Sequence, residues 1–200
     1  LTANDGALIR TDDVTVVVQP AGGGGNSVDI PVRAGSDDAE ERFNGQVLLT
    51  STDLDITAEG ARFMNAVGLR FTTLPVPAGA VVTNAYIQFR ADETGAGAAN
   101  LTVRAEAADN ATTFTEAAAS LSTRPTTSAS AAWSPPPWPT IGAAGADQRT
   151  SNLAPVLQQV VSRPGWVQGN AVALLITGTG DRTSHAFENA TDPVLHIEWQ

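Results

Sequence analysis

The sequence contains neither cysteine nor lysine, and all 11 of its basic residues are arginine. Without cysteine the chain has no disulfide, no thiolate nucleophile and no cysteine ligand for zinc or an iron–sulfur cluster. Without lysine it has no amine for a Schiff base or for a lysine-derived isopeptide crosslink. These absences exclude several catalytic and crosslinking chemistries.

Basic charge is also scarce relative to acidic charge. The 11 arginines stand against 21 aspartates and glutamates, which gives a formal net charge of −10. Proteins bind a phosphate backbone mainly by neutralising its charge, so we expect no nucleic-acid partner. The sequence has no apolar run of the length that a bilayer requires, so we expect no membrane insertion either.

Charged residues make up only 16% of the chain, whereas glycine and proline are frequent, with 18 and 12 copies. The usual charged fraction is about 25%. This mixture is typical of short strands joined by many turns. At 200 residues the chain is little longer than one typical domain.

Short apolar runs, separated by clusters of Gly, Pro, Asn and Asp, predict strands along most of the chain. In 67–71 the odd positions are apolar, as a strand with one buried and one solvated face requires. The predicted strand runs are 28–33, 46–50, 67–74, 80–91, 100–107, 170–177 and 193–199. We therefore predict an all-β fold, an antiparallel β-sandwich or jelly roll.

One segment departs from this pattern and predicts a short amphipathic helix. Its apolar residues recur at spacings of three and four, the period of one helix face. They are Leu153, Val156, Leu157, Val160 and Val161. Ser151 or Asn152 can cap the start of the helix, and Pro164 with Gly165 ends it.

The first 26 residues are expected to be separate from the sandwich. Residues 1–19 are interpreted as two strands of an arm, with an Asp-Gly turn signal at 5–6 and a β-branched run at 14–18. Glycines make 20–26 a flexible linker, which leaves 27–200 for the sandwich module. The chain begins at Leu1 without a signal-peptide pattern, and we expect it to be a piece of a larger protein.

The arm is the most informative feature for function. Val14, Val16 and Val18 lie on one face of its predicted strand, and a two-stranded ribbon alone is marginal in water. Either the arm folds back onto its own sandwich, or it pairs with an open sheet edge of another copy. The second arrangement is head-to-tail, and its repetition without closure would give a filament.

Several segments carry a resemblance to known families. These are 1–6 with 13–18, and then Ser36–Glu41, Val67–Phe71, Ala85–Phe89 and Arg163–Trp166. The first pair is similar to the last two strands of a PKD-type, immunoglobulin-like repeat. Residues 27–200 resemble a module that recurs in large secreted and cell-surface bacterial proteins and is similar to carbohydrate-binding jelly rolls. The resemblance implies a jelly-roll fold and an extracellular or cell-surface location, and it supplies no catalytic motif.

Four acidic residues cluster in a predicted loop after the first strand of the module, namely Asp37, Asp38, Glu40 and Glu41. Calcium takes six to eight oxygen ligands, so such a cluster is a candidate calcium site. Further oxygen donors are Asp92, Glu93, Glu188 and Asp192. The alternative is that these are solvated loop acids that keep a secreted protein soluble. No spacing matches an EF-hand or a nonapeptide repeat.

Trp133 and Trp138 bracket a run of prolines. A rigid polyproline segment can hold two indoles as a flat platform on which a sugar ring stacks. The alternative is that both are core residues. Tyr86 and Trp166 are further candidates for stacking, although Trp166 and Trp199 fit the core better.

The sequence offers little for catalysis. His185 and His196 are the only imidazoles, and His196 shares a strand face with Glu198, where we expect it to face solvent. No Gly-x-Ser-x-Gly elbow occurs, and a carboxylate pair is defined only by its separation in space. We therefore expect no enzymatic activity.

These observations favour two functions. The first is a non-catalytic extracellular structural or adhesive module that binds other copies of itself through the arm. The alternative is a calcium-stabilised module that binds polysaccharide through Trp133 and Trp138.

Overall fold

The computed structural model of the protein describes residues 2–4, 9–11, 25–56, 64–189 and 193–200. Its strands are β1 (Thr2–Asn4), β2 (Ile9–Thr11), β3 (Asn26–Pro31), β4 (Asp38–Arg42), β5 (Val47–Leu48), β6 (Asp53–Asp55), β7 (Met64–Phe71), β8 (Val82–Gln88), β9 (Asn100–Ala105), β10 (Ala131–Trp133), β11 (Val172–Thr179), β12 (Thr183–His185) and β13 (Val194–Trp199). The helix α1 spans Ala154–Val161, and short 3-10 turns lie at Ala146–Gln148 and Phe187–Asn189. None of the helices in these described ranges is long and apolar enough to cross a membrane.

The strands form antiparallel sheets. A six-stranded sheet has the order β10-β9-β11-β7-β4-β5, and a three-stranded sheet has the order β3-β13-β8. Two small sheets pair β12 with β6 and β1 with β2. The all-β antiparallel sandwich with one helix, predicted from the alternating runs, is confirmed.

The main core lies between the six-stranded and three-stranded sheets. The inward residues of β7 alternate with outward ones, because successive side chains of a strand point to opposite faces. Val67, Leu69 and Phe71 are fully buried and share one core with Leu195 and Ile197 of β13. Burial of this apolar surface is the main stabilising contribution to the sandwich.

The opposite face of the six-stranded sheet is covered as well. The long connection between β9 and β10 places Phe114 and Leu121 against it, where they form a second core with Ala66, Ala173 and Leu175. This sheet is therefore buried on both faces, which explains why β11 is buried over five consecutive residues instead of alternating.

Helix α1 confirms the predicted amphipathic segment. Val156, Leu157 and Val160 are buried in the main core. Asn152 Oδ1 accepts a hydrogen bond from the Ala154 N–H at 2.8 Å, although the residue at the N-cap position is Leu153. The helix ends before Pro164, as the sequence pattern predicts.

All seven strand runs that the sequence predicts contain a strand, and four other strands of the sandwich were not predicted. These are β4, β6, β10 and β12. Each is short or rich in charged and polar residues, so it lacks the apolar alternation that marks a strand in sequence. Acidic β4 is the most consequential of them, since it lies between β5 and β7 in the large sheet.

At the N-terminus, β1 pairs with β2 in an antiparallel hairpin that joins Thr2 to Thr11 and Asn4 to Ile9. The partner of the first strand is therefore Ile9–Thr11, a pairing that the sequence did not predict. The predicted arm strand with Val14, Val16 and Val18 lies outside the described residues, as do residues 20–24 of the predicted linker.

Candidate functional site

Trp133 and Trp138 are core residues and form no sugar platform. Trp138 is 0% exposed and Trp133 is 4% exposed. Their ring centroids lie 6.4 Å apart at an interplanar angle of 47°, and Trp133 stacks on Phe89. Trp138 Nε1 donates a hydrogen bond to the Asp147 carbonyl at 3.0 Å. The platform prediction is wrong because the indoles fill the interior and leave no face for a ligand.

The other two tryptophans are also buried, as the sequence pattern favoured. Trp166 Nε1 donates to the Val76 carbonyl at 3.0 Å, and Trp199 lies in the main core. The buried indole N–H of Trp166 is thus satisfied, as a core tryptophan requires.

The acidic cluster is not an exposed loop. Asp38, Glu40 and Glu41 lie in strand β4, and they and Asp37 are buried. Both sequence interpretations of these residues, a calcium loop and solvated acids, placed them at the surface, and this placement is wrong. Because side chains alternate between faces along a strand, Asp38 and Glu40 lie on one face of β4 and Glu41 lies on the other, so these carboxyl groups do not converge on one point.

On one face of β4, the acids hold the second core in place. Glu41 Oε2 accepts hydrogen bonds from the N–H groups of Leu121 and Ser122, at 2.9 and 2.8 Å. Asp37 pairs with Arg70 at 2.5 Å, and Arg70 also donates to the Ala111 carbonyl. These carboxylates anchor the covering connection to the sheet.

On the other face, Asp38 and Glu40 point towards β6 and the turn at Phe187. Asp38 Oδ2 accepts from the Phe187 N–H at 2.9 Å, and Glu40 accepts from the Asp55 N–H. Burial raises the pKa of Glu40 to about 8, and the neighbouring charges of Asp55 and Asp53 act in the same direction. Glu40 is therefore mostly protonated at neutral pH.

The described residues contain no group of three or more His, Asp or Glu side chains arranged to hold a metal ion. Among the other donors named from sequence, Asp92 pairs with His185 Nε2 at 3.1 Å, and Asp192 lies outside the described residues. The calcium site stays a prediction.

The exposed face of the three-stranded sheet brings polar and aromatic groups together. His196 on β13 lies opposite Asp29 on β3 and opposite Tyr86 on β8, so the three form one row across the sheet. The next row places Val194 opposite Gln88, and Gln88 in turn bridges to Arg149. We call these six residues the sheet-face site.

Hydrogen bonds and stacking fix the centre of the sheet-face site. His196 Nδ1 lies 2.7 Å from Asp29 Oδ1, and Nε2 lies 3.1 Å from Glu198 Oε1. The His196 and Tyr86 rings stack at 4.7 Å, and the Arg149 guanidinium lies 4.7 Å from the Tyr86 centroid. Each group is thus held in a defined orientation.

The charges of this row perturb each other. Partial burial opposes the imidazolium form, but hydrogen bonds to Asp29 and Glu198 outweigh burial, and the pKa of His196 is raised. Hydrogen bonds from Asn84 and from His196 lower the pKa of Glu198. His196 therefore forms an ion pair with its two acidic neighbours more readily than a free histidine would.

The sheet-face site surrounds a cavity of about 260 Å³. Asp29, Gln88 and Arg149 supply hydrogen-bonding groups to its wall, and Tyr86 and Val194 supply apolar surface. Sequence reasoning found the shared face of His196 and Glu198 and named Tyr86 as a stacking candidate. It missed Asp29 and Arg149, because only strand register and a distant turn bring them to the site.

A second cavity, of about 130 Å³, lies on the other side of the molecule above the six-stranded sheet. Ala66, Leu121, Leu175 and Arg104 line it together with three hydroxyl-bearing side chains. It lies beside the turn that Glu41 holds. Its small size and its mixture of polar and apolar lining residues do not indicate a class of ligand.

Strand β3 forms one edge of the three-stranded sheet, and in the described part of the chain only β13 pairs with it. The Val32 N–H donates to the Pro193 carbonyl, so the backbone groups of Val32 and of every second residue before it face β13. Because ladder groups alternate along an antiparallel strand, the N–H groups of Ser27 and Asp29 point away from β13. They form an open edge of the sandwich.

No protein-family model matches this chain, and no curated protein is similar to it. The resemblance to PKD-type repeats and to carbohydrate-binding jelly rolls stays a prediction.

Proposed function

We propose that this protein is a non-catalytic extracellular or cell-surface structural module whose copies join head to tail, with an arm strand of one copy pairing with β3 of the next. The open edge of β3 carries the proposal. At six residues β3 is one residue shorter than β8 at the opposite edge of the same sheet, but the outer N–H groups of Ala85 and Ile87 in β8 already donate to Asn152 Oδ1 and Thr150 Oγ1. At the edges of the large sheet, β5 and β10 have only two and three residues. Long, unpaired edges accept incoming strands.

The arm supplies a strand of suitable chemistry. Residues 14–18 are β-branched throughout, with Val14, Val16 and Val18 on one face, and this run lies outside the described residues. When fully extended, the seven linker residues 20–26 would span at most about 25 Å, which is enough to leave one sandwich and reach another. Pro31 has no N–H to offer, so the added strand would pair with the first part of β3.

Two variants and one control variant test this assembly by analytical ultracentrifugation. Deletion of residues 1–20 should convert the assembled protein to a folded monomer. Ser27→Pro should weaken assembly because it removes one outward N–H, while Ser27→Ala, which keeps that N–H, should assemble normally. Thermal melts check that all three variants retain the sandwich.

A monomeric full-length protein would contradict the proposal, and it would favour an arm that folds back onto its own sandwich. Assembly that survives deletion of the arm would place the interface elsewhere.

Polysaccharide binding is the second candidate, and the cavity of the sheet-face site favours it. Binding sites for small ligands are concave and combine apolar surface with a few oriented polar groups. Trp133 and Trp138 are buried, so the sheet-face site replaces them as the candidate surface. Calcium stabilisation of this module is a separate hypothesis, which concerns the buried acids of β4.

A further inference from the structure

We propose that the sheet-face site binds the carboxylate of an acidic sugar residue, with Arg149 as the group that recognises it. This inference rests on the second candidate function, carbohydrate binding. It assigns both the residues of the site and the chemical class of the ligand.

The orientation of Arg149 is the first argument. Its Nε donates to Gln88 Oε1 at 2.6 Å, and Gln88 Nε2 in turn donates to the carbonyls of Phe89 and Gly145. The guanidinium also lies against the Tyr86 ring. A chain of hydrogen bonds and a stacking contact thus position this side chain before any ligand arrives, which reduces the entropy cost of binding.

The unused hydrogen-bonding capacity of Arg149 is the second argument. Nε is engaged, but within the described ranges no protein acceptor contacts Nη1 or Nη2. Four of the other described arginines pair with carboxylates instead: Arg70 with Asp37, Arg124 with Glu106, Arg163 with Asp109 and Arg182 with Asp181. Arg149 therefore keeps donors available for a ligand.

The neighbouring charges make Arg149 the anion-binding group. His196 is engaged by two carboxylates, Asp29 and Glu198, which both contact its ring, whereas among the described residues no carboxylate contacts the Arg149 guanidinium. A planar carboxylate matches a guanidinium, which can donate two parallel hydrogen bonds to it. A carboxylate ligand is thus recognised by geometry as well as by charge.

The remaining groups of the site suit the hydroxyl groups of a sugar. The Asp29 side chain is 69% exposed, so it has acceptor capacity beyond its contact with His196. Val194 offers apolar surface to a C–H face. The cavity, at about 260 Å³, is smaller than the range of about 300–1,000 Å³ typical of drug-sized ligands, so it suits one sugar residue.

Isothermal titration with matched oligosaccharides tests the assignment. The probes are tri-galacturonate, its neutral counterpart galactotriose, and a sulfated galactotriose. The wild-type protein should bind tri-galacturonate more tightly than either of the other two. Arg149→Gln should weaken this binding roughly ten- to hundredfold, the effect expected for loss of hydrogen bonds between charged groups.

Arg104→Gln is the matched control, since it removes the same charge from an exposed arginine at the other cavity. It should bind tri-galacturonate like the wild type. A thermal melt of each variant shows whether the sandwich is intact, and Arg149→Lys, which keeps the charge but not the planar fork, should bind more weakly than the wild type.

The outcomes separate the inference from the function on which it rests. Binding of galactotriose that is as tight as that of tri-galacturonate, and indifferent to Arg149→Gln, would overturn the carboxylate assignment and leave carbohydrate binding in place. Preference for the sulfated sugar would also overturn it. No binding of any probe would remove the inference together with the second candidate function.

Discussion

At the scale of single residues, burial decides what the acidic side chains of β4 do. Glu41 is fully buried, and its Oε2 accepts hydrogen bonds from two backbone N–H groups. Glu40 accepts one backbone hydrogen bond and faces the charges of Asp55 and Asp53, and its pKa is raised to about 8. Neighbouring residues of one strand therefore have different hydrogen-bonding surroundings, and a buried polar group is stable only where partners compensate its desolvation.

Glu40 makes stability depend on pH. Its pKa rises from an ordinary 4.5 to about 8 in the folded protein, so its stabilising contribution is complete below pH 4.5 and is lost as pH rises through 8. In chelator, the free energy of unfolding of the wild type relative to Glu40→Gln should fall by about 1.4 kcal/mol per pH unit within this window. Urea titrations at several pH values measure this difference.

Glu116→Gln provides the control, because Glu116 is exposed and its substitution should leave the slope unchanged. Equal slopes for the wild type and Glu40→Gln would contradict the burial argument.

Repeating the urea titrations with calcium tests the calcium hypothesis. A bound ion keeps Glu40 ionised, which should flatten the dependence of the unfolding free energy on pH and raise the melting temperature. A melting temperature that neither calcium nor chelator changes would count against the calcium site.

At the scale of elements, β7 joins the two cores. Its odd positions face the three-stranded sheet, and Gly68, between them, lies under Phe114 and Leu121 of the covering connection. A Cβ at Gly68 would lie 2.7 Å from Phe114 Cζ and 3.1 Å from Leu121 Cδ2. Glycine at this position lets the second core approach the sheet closely.

Gly68→Ala should therefore destabilise the protein through overpacking. The expected loss in the free energy of unfolding is about 1–3 kcal/mol, measured by urea titration. Phe114→Leu should recover part of this loss in the double variant, since the two sites are in contact and their effects are not additive. Gly145→Ala is the control, because its Cβ would meet Gln148 at an ordinary 3.7 Å. A neutral Gly68→Ala variant would show that the covering layer is loosely packed.

At the scale of the whole molecule, net charge opposes the proposed assembly. Each copy carries a formal charge of −10, so neighbouring copies repel one another. Strand pairing relies on backbone hydrogen bonds, which salt screens little, while the repulsion between exposed charges is screened strongly. Salt should therefore favour the assembled form.

Sedimentation at two ionic strengths tests this balance. The fraction assembled should rise between about 0.01 M and 0.15 M salt, where the Debye length falls from about 30 Å to about 8 Å. The protein lacking residues 1–20 should be monomeric at both. Assembly that weakens as salt is added would indicate an interface held by ion pairs, contrary to strand addition at β3.

The amino-acid sequence by itself determined the fold class, seven of the strand runs and the helix. Each of these depends on a local period of apolar residues, two for a strand and 3.6 for a helix, and a period is visible without knowledge of the fold. Burial of Trp166 and Trp199 followed from the same patterns. The absence of cysteine and lysine, and of the chemistry that their side chains supply, could also be read directly from the sequence.

Tertiary structure alone decided which residues meet. Asp29, Tyr86 and His196 come from three strands far apart in the chain, and only the register of β3-β13-β8 aligns them in one row. The acids of β4 looked solvated because their partners, such as the N–H groups of Leu121 and Asp55, are backbone groups that no side-chain pattern reveals. Which residues pair is a property of long-range contacts, and a local period carries no information about it.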